Sequence, residues 1–208
     1  MIVCGVDEAG RGSMIGPLVI AGVAVEQSKI KQLQSLGVRD SKKLTAASRE
    51  RLYRKIIKLA DSYSVVRISP KTIDEHVVRH QLNHLEAYHM AQIIRKIGPD
   101  VSYVDSCDVN AARFARELKR LSDAKRIRAY HHADARFLVV SAASIIAKVA
   151  RDRAIIRLAA QGNVGSGYPS DSKTVAFVRE WFEKNGHVPK YVRKSWAPVQ
   201  KIVSYQTA

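Results

Sequence analysis

Short apolar runs that alternate with stretches of helical periodicity restrict this chain more than any other feature. Residues 2–6 are apolar and lead straight into Asp7 and Glu8, and residues 18–25 form a second run rich in Val and Ile. Residues 64–68 alternate in a Val- and Ile-rich pattern, and residues 101–104 and 127–130 supply two more short runs. Apolar runs of this length, bounded by turn residues, read as strands. Helical patterns lie between and after them. Residues 45–61 place Leu52, Ile56 and Leu59 on one face with Thr45 as N-cap. Residues 72–97 read as one or two helices closed by Gly98-Pro99, and residues 110–121, 141–161 and 172–184 read as three more. Strands that come first and then alternate with helices predict the α/β class, with a mixed sheet flanked by helices. Residues 1–171 are expected to form this domain. Residues 172–208, with Lys190, Arg193, Lys194 and Lys201, are expected to form a basic C-terminal helical segment packed on it.

A chain of 208 residues can bury a sizeable core, which excludes disorder as the main state. Cys4 and Cys107 are the only cysteines, which excludes a disulfide scaffold; both are expected to be small buried hydrophobes in a reducing compartment. The first residues lack the basic stretch of a signal peptide. The longest apolar run, residues 15–25, is about 11 residues long and broken by Gly16, Pro17 and Gly22, far short of the ~20 that span a bilayer. A cytoplasmic protein without a membrane partner is expected, and nothing demands more than a monomer. Against this ordinary background, 35 Lys and Arg outnumber 19 Asp and Glu, for a formal charge of +16. Such an excess suits a polyanion, because cations that neutralise phosphates release condensed counterions.

In so basic a chain, acids at strand ends stand out. Asp7 and Glu8 follow the first strand, Asp105 follows the fourth, and Asp134 lies between the fifth strand and the long helix. Functional groups in α/β sheets gather at the carboxyl ends of strands. If the first and fourth strands are parallel neighbours, Asp7 and Asp105 meet at one sheet edge. Clustered carboxylates repel, and a hard divalent cation relieves that repulsion. Two such ions can activate a water and stabilise the leaving oxygen of a phosphodiester. Successive strand residues face opposite ways, so Glu8 shares a site with Asp7 only if the chain begins to turn there, which Ala9-Gly10 permits. Each acid alone is better read as an exposed loop carboxylate; only the combination of strand-end positions brings the two readings level.

Gly10, Gly12 and Gly16 give the spacing GxGxxxG, one residue off the dinucleotide fingerprint, and the preceding carboxylates would repel a pyrophosphate. The alternatives are a tight turn or a loop whose backbone approaches a ligand. Asp40-Ser41-Lys42-Lys43 precedes a helix and reads as a phosphate anchor or a solvated cap. Ser144 and Lys148 share a helix face, and a Lys on so apolar a helix implies a phosphate or carboxylate partner unless it reaches solvent. Tyr168, on a loop with Gly167 and Pro169, could stack on a sugar or base. His76, His80, His84 and Tyr88 recur every four residues, but Gln81 stands where a zinc-protease helix needs Glu, so a solvated helical face is expected.

Taken together, these segments resemble type 2 ribonuclease H (ribonuclease HII). Gly5-Val6-Asp7-Glu8-Ala9-Gly10-Arg11-Gly12 is similar to that family's opening motif, and Asp40-Ser41-Lys42-Lys43-Leu44 to its second. Val104-Asp105-Ser106, and Ala133-Asp134 with the stretch from Ser141 to Asp152, resemble the third and fourth; Gly165-Ser166-Gly167-Tyr168-Pro169-Ser170-Asp171 resembles the fifth. The motifs occur in the family's order, and the compact chain is most similar to the archaeal form. Six residues before Asp7 leave no place for the extra N-terminal domain of ribonuclease HIII.

The resemblance implies a ribonuclease H-like fold with a C-terminal helical segment. It also implies hydrolysis of the RNA strand of RNA–DNA hybrids, including incision 5′ of single ribonucleotides embedded in duplex DNA, leaving 5′-phosphomonoester ends. By motif position, Asp7, Glu8, Asp105 and Asp134 would be catalytic acids holding two Mg²⁺ or Mn²⁺ ions. The backbone of Gly10, Arg11 and Gly12 would meet the ribose 2′-OH and adjacent phosphate. Tyr168 would stack on the following sugar, and Lys42 or Lys43, Ser144 and Lys148 would hold phosphates. A non-catalytic basic protein that binds hybrids or duplex DNA would share the charge but have no need of the acids.

Overall fold

The computed structural model describes residues 1–38 and 44–204. Five strands, β1 (Ile2–Ala9), β2 (Leu18–Glu26), β3 (Ser62–Ile68), β4 (Val101–Asp105) and β5 (Ile127–Tyr130), form one sheet in the order β3-β2-β1-β4-β5. β1 pairs antiparallel with β2 and parallel with β4, and β4 pairs parallel with β5. The sheet is therefore mixed, as the alternating pattern predicts. All five expected strands are present.

The helices are α1 (Ile30–Ser35), α2 (Ala46–Leu59), α3 (Pro70–Val77), α4 (Leu82–Ile97), α5 (Ala111–Ser122), α6 (Ala133–Arg136), α7 (Leu138–Leu158), α8 (Ser172–Asn185) and α9 (Ala197–Ser204). Local chemistry sets several starts: Thr45, Ser69, Asn110 and Asp171 each accept a hydrogen bond from a first-turn N–H through the side chain. Helices α1, α6 and α9 were not expected, because six, four and eight residues are too few for a periodic pattern to stand out. The 72–97 stretch is two helices broken at His80, whose φ is +56°. The histidines therefore form no continuous stripe: His76 Nδ1 bonds the Thr72 carbonyl, and His84 pairs with Glu117 at 2.7 Å. Cys4 is buried, which pushes its thiol up to about 12, whereas Cys107 is only half-buried.

The chain divides into two compact units. The first comprises Met1–Ala9, Val19–Val66 and Asn83–Ala150; the second comprises Gly10–Leu18, Arg67–Leu82 and Arg151–Ala208. Residues 172–204 thus share a unit with residues 10–18, 67–82 and 151–171. Long-range backbone pairing is the reason: Met14 N and Ile15 N donate to the Gly167 carbonyl, Gly16 N to Tyr191, and Arg193 N to Met14. The second unit has its own core of Met14, Ile15, Ile155, Phe177, Val178 and Val199.

In the first unit the two faces of β1 are covered differently. A Cβ on Gly5 would fall 2.1 Å from the backbone of Val139, so α7 lies close against the face that carries Val3, Gly5 and Asp7. A Cβ on Gly22, opposite Val6, would fall 2.4 Å from Ile93 of α4, on the other face. Gly5 is therefore what lets α7 approach the strand that ends in Asp7. Gly5→Ala should cost about 3 kcal/mol of stability, the upper range for overpacking, because backbone rather than a mobile side chain blocks the methyl. Urea denaturation checks this; a loss below about 1 kcal/mol would mean that α7 can withdraw without penalty.

Candidate active site

The parallel register of β1 and β4 sets Val6 opposite Val104. One residue on, Asp7 and Asp105 stand at the carboxyl ends of adjacent strands, where the sequence placed them. Asp7 is 4% exposed and lies on the face covered by α7. Burial and the negative charges of Asp105 and Asp134 raise its pKa from 3.8 to about 7; hydrogen bonds from Ser144 and from the Glu8 N–H, 2.7 Å away, oppose the rise. Both charges acting on Asp7 are negative. Asp105 Oδ1 accepts from Ala133 N at 2.7 Å, which ties it to the turn of α6 that carries the buried Asp134. Asp7, Asp105 and Asp134 therefore share one electrostatic neighbourhood.

Glu8 is placed differently from expectation. β1 does not turn at Glu8: its pairing continues through Glu8↔Ile20 and Ala9↔Val19, and the chain turns only at Gly10. Strand alternation then sets the Glu8 side chain on the opposite face from Asp7. Ser144, read from its motif as a phosphate contact, meets the Asp7 carboxylate. It is 1% exposed, and its hydroxyl is spent on Asp7. Lys148 follows one turn later on the same face of α7 and is half-buried. Lys42 and Lys43 lie outside the described residues.

The second unit holds the remaining motif residues. Gly10 has φ +85°, and a Cβ there would fall 2.9 Å from the Pro17 carbonyl oxygen, so this corner requires glycine. Arg11 is half-buried and Gly12 exposed. Tyr168 is half-buried on its loop, with the Arg151 guanidinium over its ring at 4.3 Å. Arg151 is itself 4% exposed and donates to the Ser166 carbonyl, so the ring is held from behind by a fixed cation. Sequence reasoning did not single out Arg151, although it stands in the fourth motif. Nor did it single out Arg193, one basic residue among several in the tail, which the structure buries completely against the 10–16 loop. No local signal separates Arg193 from Lys190 or Lys194.

A family model for ribonuclease HII matches residues 4–199. The chain belongs to the ribonuclease HII family. A ribonuclease HII of Cenarchaeum symbiosum is 56% identical over 202 residues, covering 97% of this chain and 98% of the relative. The crystal structure of ribonuclease H2 from Pyrococcus horikoshii superposes with a TM-score of 0.93 at 44% identity, covering 99% and 98% of the two chains. A ribonuclease HII from Archaeoglobus fulgidus, solved in complex with PCNA, gives 0.88 at 42% identity, covering 94% and 95%. The ribonuclease H-like fold and membership of an endoribonuclease family that cleaves RNA in RNA–DNA hybrids follow. Among the described residues no helix is long and apolar enough to cross a membrane.

The donor chemistry fits a hard divalent cation. The donors are carboxylate oxygens, and their mutual repulsion at Asp7 is what a cation would remove. Among the described residues no three His, Cys, Asp or Glu side chains make a ready cage. Hard divalent cations are commonly held by one or two carboxylates together with waters and substrate phosphates.

Asp7 also predicts a pH dependence. Its folded pKa lies above the unfolded value, so its protonated form favours the fold; that stability is full below about pH 4 and is lost as pH rises to about 7. The loss is on the order of 4 kcal/mol. In metal-free buffer, Asp7→Asn should flatten the fall in stability across this window. Added Mg²⁺ should raise the melting temperature of wild type at pH 8 more than that of Asp7→Asn. Equal shifts in both proteins would show that the ion binds elsewhere.

Proposed function

We propose that this protein is a Mg²⁺- or Mn²⁺-dependent endonuclease that hydrolyses the RNA strand of RNA–DNA hybrids and incises 5′ of single ribonucleotides in duplex DNA. The observation that carries the reading is the convergence of Asp7 and Asp105, at neighbouring strand ends, with Asp134 on α6, close enough that the latter two raise the pKa of Asp7. Asp7, Asp105 and Asp134 would hold the ions. By motif position Glu8 would reach the same ions round the end of β1, where the chain turns at Gly10. Two such ions supply an activated water and neutralise the departing oxygen.

The protein's own groups prepare the reaction. The Ser144 hydroxyl and the Glu8 N–H fix the Asp7 carboxylate, and Ala133 N fixes that of Asp105. Supporting hydrogen bonds of this kind hold metal ligands in a single orientation. Water adds to phosphorus, the P–O3′ bond breaks, the 3′ oxygen gains a proton, and the ribonucleotide keeps a 5′-phosphate. Lys148, with Lys42 or Lys43, would neutralise flanking phosphates. The backbone of Gly10, Arg11 and Gly12 would meet the 2′-OH, the one sugar group that separates RNA from DNA. Tyr168, braced by Arg151, would stack on the sugar that follows. The formal charge of +16 favours both duplex substrates, and a cytoplasmic monomer suffices for this chemistry.

Product mapping on a duplex with one ribonucleotide tests reaction, substrate and cut position together. One cut 5′ of the ribonucleotide is expected, only with divalent metal; no cleavage with either ion would refute the proposal. Asp7→Asn and Asp105→Asn should each lower the rate by about 100-fold or more while duplex affinity is kept or slightly increased, because a negative charge is lost. Unchanged rates in both variants would remove the acids from the mechanism. Tyr168→Ala should lower junction cleavage about tenfold, a loss of stacking worth 1–3 kcal/mol, with little change in melting temperature. Parallel losses of stability and activity would instead assign the ring to packing.

A further inference from the structure

Arg193 is fully buried in the second unit, and its guanidinium faces backbone carbonyls. Nη2 donates to the Gly10 carbonyl at 2.6 Å, Nη1 to the Arg11 carbonyl at 2.7 Å, and both Nε and Nη2 to the Gly16 carbonyl at 3.2 Å. The neighbouring backbone reinforces the clasp: Arg193 N donates to the Met14 carbonyl at 2.9 Å, and Ile15 bridges Val192. A planar fork of donors can hold three carbonyls of one loop at once; a lysine ammonium, a point charge on a flexible stem, cannot reproduce that fork.

The clasp decides which way the loop's donors point. In a trans peptide the C=O of one residue and the N–H of the next are antiparallel. Turning the Gly10 and Arg11 carbonyls inward to Arg193 therefore turns the N–H groups of Arg11 and Gly12 the opposite way, side by side. Ser13 closes the same turn, its Oγ donating to the Gly10 carbonyl at 2.9 Å. Successive N–H groups aligned in this manner form a concavity suited to an anionic or lone-pair oxygen. The buried positive charge behind the carbonyls strengthens that field.

We infer that Arg193 is the positioning residue for ribonucleotide selection: it holds the 10–16 loop so that the Arg11 and Gly12 N–H groups are presented to the ribose 2′ oxygen. This rests on the assignment of Gly10–Gly12 to the 2′-OH proposed above. Arg193 touches neither substrate nor metal in this role; it acts through the loop.

The test uses the full chain with Mg²⁺ and two duplexes of one sequence, one carrying a single ribonucleotide as substrate and one all-DNA as competitor. In Arg193→Lys the KM for the ribonucleotide duplex should rise about tenfold, the loss of roughly one well-made hydrogen bond, while the Ki of the all-DNA competitor stays unchanged. Arg193→Gln should show the same or a larger effect. A merely structural role leaves less folded enzyme, which lowers apparent kcat and moves neither KM nor Ki. Unchanged KM in Arg193→Lys, or KM and Ki rising together, would overturn the inference. If Arg193→Gln does not fold, Arg193→Lys decides alone. If wild type fails to cut the ribonucleotide duplex, the functional proposal itself has failed, and the assignment to Arg193 falls with it.

Discussion

Parallel pairing of β1 with β4 is the constraint on which the acidic site depends. With Val6 opposite Val104, the next residue on each strand is an aspartate. Gly5 then admits α7 against the same face, and α7 brings Ser144 onto Asp7. Burial under α7 and repulsion from Asp105 and Asp134 push the Asp7 carboxyl well above the usual carboxylate range. A site built this way spends folding stability on carboxylates that a cation and a phosphate can satisfy.

The second unit solves a different problem with backbone instead of side-chain charge. Its glycine corner at Gly10 is held by carbonyl contacts to Arg193, and its aromatic ring at Tyr168 is held by Arg151. Both cations are buried: Arg193 donates to three carbonyls of one loop, and Arg151 meets the Ser166 carbonyl, the Tyr168 ring and, at 3.6 Å, the Asp152 carboxylate. Buried arginines in these settings give geometry more than stability, since desolvating a charge offsets much of what its hydrogen bonds return. A loop that must tell one hydroxyl from a hydrogen needs that geometry.

Much of this was legible along the chain. The strands were visible because buried runs of Val and Ile have a short period and sharp ends, and α2 and α5 because Thr45 and Asn110 cap an amphipathic pattern. The strand-end aspartates stood out against a basic background. Glu8 was harder: a turn at Ala9-Gly10 was permitted by composition, yet pairing with β2 keeps the strand regular through Ala9. Ser144 was marked by its motif position on α7, and its hydrogen bond to the Asp7 carboxylate is a contact that only the packing of α7 on β1 could reveal.

Sequence by itself determined what depends on near neighbours: the α/β pattern, the caps, the glycine that permits a left-handed corner, the charge that favours a polyanion, and the order of the family's motifs. The pattern, the caps and the glycine corner are set by residues within a few positions of one another, and the charge and motif order are read along the chain without any fold. Tertiary structure alone decided which faces the acids occupy, how far burial shifts Asp7, and which of the tail's cations is buried. Arg193 meets the Gly10 carbonyl across 183 positions of chain, and no local pattern distinguishes it from the solvated lysines beside it. Such contacts follow from strand register and helix packing, which join segments whose separation along the chain carries no signal of their meeting.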